Sequence, residues 1–350
     1  MTVLPVGTGS GVAIDGVRLL SHRPSVLYKI EPLTDAAAGS GDIGVEGLAL
    51  TGPDWDERLK RILGSLTHSE RACLYAVPLD DGDRLPLPAE VLVRRARTDW
   101  FPEFLSHGLM VPHFQPIVDL SDGHAFGREA LMRGRLGTVE VRGGELLAAA
   151  QAHDALYSFD ARARSAALEV GLPLLPAGEV LFVNVDPRAV LDIASSMRTT
   201  WPIVERMGGD PARLCLELVK PERTPDLGLV VELAGEHRRR GALVALDDLS
   251  GGTDALRAME AVLPDLVKID MEMTSGIHQS AARRRLVGAL VDCAHEQGAK
   301  VVAEGIERRG EFATMRELGV DYGQGFYFGQ PVARPVPVDE RLVLRPPELV

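Results

Sequence analysis

Cysteine is scarce in this chain, and its three residues, Cys73, Cys215 and Cys293, lie far apart. That spacing excludes a disulfide framework and the paired ligands of a zinc site, and it suits a reducing compartment. Long apolar runs are missing as well. No stretch approaches the roughly 18 uninterrupted apolar residues of a membrane span, and the region after Met1 lacks a basic start followed by an apolar run. A cytoplasmic protein with no membrane partner is therefore expected. Basic residues are in the minority, 38 Lys and Arg against 50 Asp and Glu, for a formal net charge of -12. Such a balance argues against wrapping a nucleic acid polymer, although a single nucleotide needs only local charge.

What is present is the composition of a soluble globular protein, 45% hydrophobic and 25% charged over 350 residues, enough for one large barrel or two ordinary domains. The Gly- and Ser-rich opening, ending in Thr34 to Gly41, reads as loop or linker, so residues 1–41 are expected to be partly flexible. An apolar run at Gly47 to Leu50, an amphipathic stretch at Asp54 to Leu66 and a second apolar run at Cys73 to Val77 predict strand, helix and strand. After the turn at Asp80 to Asp83 and the Pro-punctuated connector Leu85 to Pro88, the charged stretch Val91 to Arg97 leads into the next unit. A boundary near Thr98 follows, with a small α/β module over 1–98 and a second domain over 99–350.

Beyond that boundary, short apolar runs at Ile117–Leu120, Val180–Val185, Leu214–Leu218, Leu243–Leu246, Leu266–Ile269, Lys300–Ala303 and Gly325–Phe328 predict strands. Helix-length segments, such as Ala148–Val170 and Arg284–Gln297, lie between them. Repeated strand–helix alternation implies parallel βαβ units, and this many of them suggest a closed (β/α) barrel. Functional groups in such barrels sit at the carboxyl ends of strands.

Those ends carry Asn184, Glu217, Asp247 with Asp248, and Glu304, while Lys268 and Asp270 belong to the run Leu266 to Asp270. Clustered carboxylates repel one another unless a cation neutralises them, so the set implies bound metal. All-oxygen ligation selects a hard ion, Mg²⁺ or Mn²⁺, with Ca²⁺ as an alternative and zinc disfavoured. The adjacent pair Asp247-Asp248 suits two ions, one carboxylate bridging both while its neighbour holds the second.

With Phe114 to Asp119, then Gly127-Arg-Glu-Ala-Leu-Met-Arg133, and further matches at Val183-Asn184, Leu216-Glu217, Leu246-Asp247-Asp248, Val267 to Asp270, Ala303 to Glu307 and Gln324-Gly325-Phe326, the chain from about Val111 to Pro331 resembles the EAL domains, the cyclic di-GMP phosphodiesterase family. The resemblance implies a modified TIM-type (β/α)8 barrel whose first strand runs against the others, often dimeric, hydrolysing cyclic di-GMP to linear pGpG. It implies metal ligation by Glu129, Asn184, Glu217 and Asp247, with a second ion shared by Asp247 and held by Asp248 and Glu304. By the same resemblance, Lys268 would orient and help deprotonate the attacking water. Arg133 would contact a substrate phosphate, Gln115 and Gln324 would line the substrate site, and Glu307 would complete the catalytic set with Glu304.

Two departures bear on activity. Lys220 stands three residues after Glu217, where the family commonly has a glutamate that anchors the loop after the Asp pair. That loop reads Asp247-Asp-Leu-Ser-Gly-Gly-Thr-Asp-Ala255, with Leu249, Ser250, Thr253 and Asp254 replacing the usual residues. Three readings stay open: an active phosphodiesterase, a cyclic di-GMP receptor passing its signal to a partner through the N-terminal module, and an enzyme for another phosphate ester.

Overall fold

The computed structural model describes residues 16–30, 32, 34, 48–79, 86–219, 224, 226–249 and 253–344. Most of the 1–41 stretch read as flexible, together with Lys220, Ser250, Gly251, Gly252 and the Asp248 side chain, lies outside the described residues. The chain divides into two compact units. One is drawn from Met1–Gly108, Leu136–Val139 and Gly144–Ala155, the other from Leu109–Arg135, Glu140–Gly143 and Leu156–Val350.

The first unit is built on a four-stranded antiparallel sheet, β1 (Gly16–Ser21), β2 (Leu48–Thr51), β3 (Leu74–Pro78) and β4 (Leu87–Pro88), in the order β2-β1-β3-β4. Alternation explains the strands: Val17 and Leu19 of β1, Leu48 and Leu50 of β2, and Leu74 and Ala76 of β3 all point into one apolar core. The helix Trp55–Ser65 closes that core with Trp55, Leu59, Ile62 and Leu63, the spacing of a single helical face, and it opens with Asp56 and Glu57 in its first turn. The expected strand–helix–strand is present at β2, this helix and β3. Strand β1 and the helix Pro24–Ile30 arise where the sequence suggested only linker. The charged stretch at 91–97 is the end of a helix, Ala89–Arg97, whose Leu92 and Val93 are buried.

The second unit is a barrel. Its strands are β5 (Leu109–Asp119), β6 (Ala125–Leu136), β8 (Val180–Val185), β9 (Leu214–Val219), β10 (Leu243–Leu249), β11 (Leu266–Ile269), β12 (Lys300–Ala303) and β13 (Tyr322–Gln324), with a short β7 (Val139–Arg142) continuing the sheet beyond β6. Pairing runs β5-β13-β12-β11-β10-β9-β8-β6 and closes through β5–β6. Strand β5 is antiparallel to both neighbours and every other pair in the wall is parallel, so this is an eight-stranded barrel with its first strand reversed.

The strands read as nearly continuous apolar runs because both faces are covered. Outward residues such as Leu181, Val183, Leu216, Val244, Leu246, Val267 and Val301 pack beneath the helices, while Ile117, Phe182, Cys215, Ala245, Leu266 and Val302 fill the interior. Deeper still, Phe126 stacks on Tyr322 with centroids 4.2 Å apart and an interplanar angle of 15°. No helix among the described residues is long and apolar enough to cross a membrane.

Two expected elements are displaced. The last strand is Tyr322–Gln324, three residues before the apolar run Gly325–Phe328, which instead forms a turn closed by Phe328 N–H to Gly325 O. Tyr327 and Phe328 are apolar because they pack on Phe312 of the helix Arg309–Glu317, and a strand is not needed for that. The helix expected over Ala148–Val170 is two helices, Gly143–Ala152 and Leu156–Leu174, separated at Asp154, whose φ is 51°.

Candidate active site

Side chains alternate along a strand, so the residue two places beyond each inner apolar position also faces the barrel interior. In β8 that step leads from Phe182 to Asn184, in β9 from Cys215 to Glu217, in β10 from Ala245 to Asp247, in β11 from Leu266 to Lys268, and at the end of β12 from Val302 to Glu304. Register places Asn184 beside Glu217 and Lys268 beside Val302. The result is a polar layer on top of an apolar one, at the carboxyl ends of the strands.

Lys268 is the hub of this layer. Its Nζ lies 2.6 Å from Glu217 Oε1, 2.6 Å from Glu304 Oε1, 3.2 Å from Glu129 Oε2 and 3.2 Å from Asp247 Oδ1. Glu129 is further held by the side-chain amides of Asn184 at 2.8 Å and Gln324 at 2.7 Å. Gln324 also donates to Gln115 Oε1 at 3.1 Å, and Gln115, directly opposite Glu129 across the β5–β6 pair, donates to the Gly329 carbonyl.

Two glycines make these approaches possible. A Cβ on Gly127 would stand 2.5 Å from the Val180 carbonyl, so only glycine lets β6 close on β8 two residues before Glu129. At Gly325, φ is 153° and a Cβ would lie 2.1 Å from the Ile306 carbonyl. The close contact is what allows Ile306 N–H to bond the Gln324 carbonyl at 2.9 Å, tying the segment after Glu304 to the end of β13.

The electrostatics follow from burial. Desolvation works against charge on Lys268, yet Asp247, Glu129, Glu217 and Glu304 outweigh it and raise its proton affinity well above that of an ordinary lysine. Burial likewise opposes ionisation of Glu129, but Lys268, Gln324 and Asn184 prevail and hold this carboxyl below its ordinary value. Glu217 and Glu304 go the other way: burial, reinforced by neighbouring carboxylates, raises both well above the carboxylate range despite Lys268.

The remaining candidates are placed differently. Arg133 lies four residues along β6 from Glu129, on the same face and roughly 13 Å further toward the mouth, where its Nη1 donates to the Met132 carbonyl. Glu307 is exposed, and among the described residues no hydrogen bond or ion pair joins its side chain to the ring. Its amide N–H is instead held by Glu311, which also accepts from Gly276 and Arg308. Glu311, nearly buried, escaped the reading of the sequence; its only signal there is an acidic residue in the first turn of a helix.

One irregularity marks the acid pair. Leu246 aligns with Val267 and Leu249 with Ile269, so β10 spends one residue more than β11 across Asp247-Asp248, a β-bulge.

Does the ring suit a metal? The donors are all oxygen, and Glu217 is completely buried; among the described residues neither of its carboxylate oxygens has a hydrogen-bond donor, and its one neighbour of opposite charge is Lys268. Such a group wants a cation, and the chemistry fits a hard divalent ion. Among the described residues no three acidic or His/Cys side chains stand at metal-ligand spacing, because the carboxylates are gathered about the ammonium.

A family model, the EAL domain, matches residues 98–331, more than half of the chain. The chain belongs to the EAL domain family. The chain is 26% identical over 300 residues to the cyclic di-GMP phosphodiesterase NbdA of Pseudomonas aeruginosa, covering 84% of this chain and 37% of that protein. It is 27% identical over 162 residues to the cyclic di-GMP phosphodiesterase PdeL of Escherichia coli, covering 45% of this chain and 44% of the relative. The chain thus spans less than half the length of either relative. Among solved structures, a standalone EAL protein of Vibrio cholerae in its c-di-GMP-bound form superposes with a TM-score of 0.61 at 26% identity, over 67% of this chain and 97% of that one. The YkuI protein of Bacillus subtilis, in complex with c-di-GMP and calcium, superposes with a TM-score of 0.59 at 21% identity, over 70% and 62%, and supports the fold.

Proposed function

We propose that the barrel is a divalent-metal-dependent phosphodiesterase that opens cyclic di-GMP to linear pGpG. The observation carrying this reading is the convergence of Glu217, Asp247 and Glu304, with Asn184 beside them, from the carboxyl ends of β8, β9, β10 and β12 onto Glu129 of β6 in an EAL domain. Glu129, Asn184, Glu217, Asp247, Asp248 and Glu304 would hold Mg²⁺ or Mn²⁺, as two ions. When bound, they would neutralise the phosphate and acidify a water.

The chain's own groups divide the remaining work. Arg133 offers a planar fork to a phosphate at the mouth. Gln324, itself held by Gln115, orients Glu129, and both amides would line the floor beneath the substrate. Lys268, a protonated ammonium beside the ring, would orient the attacking water by donating hydrogen bonds. Accepting a proton would then fall to a carboxylate of the ring such as Glu304. Glu307 would act from the loop that Glu311 fixes. A homodimer, a cytoplasmic setting and a protein partner for residues 1–98 belong to the same proposal.

The test is turnover of cyclic di-GMP by the purified chain with Mg²⁺ or Mn²⁺, and its loss on chelation. Tight binding without pGpG would favour the receptor reading, for which Lys220 and the altered loop supply the motive.

A further inference from the structure

Lys268 is completely buried, so its ammonium has no water to replace a lost partner. It meets four carboxylates, Glu129, Glu217, Asp247 and Glu304, drawn from β6, β9, β10 and the end of β12, at 2.6 to 3.2 Å. One structural ion pair would need one acid. Four acids around a single cation are more than one ion pair uses, and among the described residues Glu217 Oε2 has no hydrogen-bond partner.

Hard divalent ions bond carboxylate oxygens at about 2.0–2.6 Å. An ion bonded to all four of the oxygens that now surround Nζ would stand close to where Nζ stands, and a dication and an ammonium cannot share one position. Resting on the reading of the ring as a metal site, we propose that Lys268 is a resident counter-cation. It holds the carboxylates together before metal arrives, and the incoming divalent ion must displace it.

Two consequences follow. The metal-free barrel keeps its fold because the lysine supplies the charge that four gathered acids need. The cost of withdrawing that lysine is subtracted from every metal-binding event, so the site responds to divalent ions only above a threshold that Lys268 sets.

The experiment compares the full chain with Lys268→Met and Lys268→Arg, measuring thermal stability in EDTA and in Mn²⁺, and Mn²⁺ affinity by the electron paramagnetic resonance of the free ion. In EDTA the Met variant melts below wild type. Adding Mn²⁺ stabilises it more than it stabilises wild type, with a dissociation constant lower by on the order of tenfold or more, as expected when a competing charge is removed from within a few ångströms. The Arg variant, still cationic, binds Mn²⁺ no more tightly than wild type. Should Lys268→Met be unfolded in EDTA and fold on adding Mn²⁺, that too supports displacement. Equal or weaker Mn²⁺ affinity in the Met variant, with no extra stabilisation, overturns the proposal while leaving the metal site intact. Absence of Mn²⁺ binding in all three proteins is a different result and overturns the metal reading of the ring itself.

Discussion

Gln324 donates its side-chain amide to Glu129 at 2.7 Å across 195 residues of chain, and to Gln115 at 3.1 Å. One amide thereby fastens β13, β5 and β6 where the barrel closes, and it supports the charge on Glu129 by the same bond.

Replacing that amide tests its share of the stability. Gln324→Ala should lower unfolding free energy by about 1.5–3 kcal/mol, the scale of a hydrogen bond to a charged group. Urea denaturation reads it directly, and a change below a few tenths of a kcal/mol would show that the seam holds without it.

Glu129 and Arg133 share one face of β6 but should fail differently. Glu129→Ala should reduce turnover by on the order of a thousandfold and lower bound metal, since a ligand and its charge are lost together. Arg133→Ala should spare metal stoichiometry and weaken cyclic di-GMP binding by about 1.5–3 kcal/mol. Calorimetry on both variants separates the two roles, and unchanged nucleotide affinity in Arg133→Ala would remove it from the site.

His237 makes the fold sensitive to acid. It is fully buried against Trp201, neither ring nitrogen has a hydrogen-bond partner, and burial, with Arg164 and Arg240 nearby, lowers its pKa from 6.5 to about 3. Between those values the unfolded chain binds the proton and the folded chain does not. Stability from this group is therefore complete above pH 6.5 and falls as pH drops toward 3, by about 2 kcal/mol at pH 5. His237→Phe should remove that increment, narrowing the difference in urea stability between pH 8 and pH 5. An unaltered difference would mean that His237 takes up its proton in the folded state.

Lys220 separates the phosphodiesterase reading from the receptor reading. Lys220→Glu should raise turnover and tighten its Mg²⁺ dependence, because it would supply the carboxylate common in the family three residues after Glu217 and remove a positive charge from that stretch. A fall in rate would mean that Lys220 and the loop have adapted to each other. Equal rates would sink the idea that this position governs the loop.

Much of the site was legible because barrel strands obey a period of two: Asn184, Glu217 and Asp247 each end an apolar run, and that pattern is visible in one dimension. What the pattern could not show is where a long side chain ends. Lys268 was legible as a strand residue, but its meeting with four acids depends on the reach of its side chain across the barrel. Glu311 acts through backbone amides, which leave no mark on spacing. The run Gly325–Phe328 misled because an apolar turn packed under a helix has the composition of a strand. The bulge at Asp247-Asp248 was hidden for a simpler reason, since counting residues in β10 reveals an extra one only against its neighbour β11.

The stacked rings of Phe126 and Tyr322, with the apolar layer above them, plug one end of the barrel. Among the described residues, the polar ring is therefore approached from the side of the strands' carboxyl ends. Under the proposed activity, substrate, product and metal ions would share that side, so a nucleotide seated over the ring would close the exit of any ion beneath it, and the nucleotide would leave before the ions.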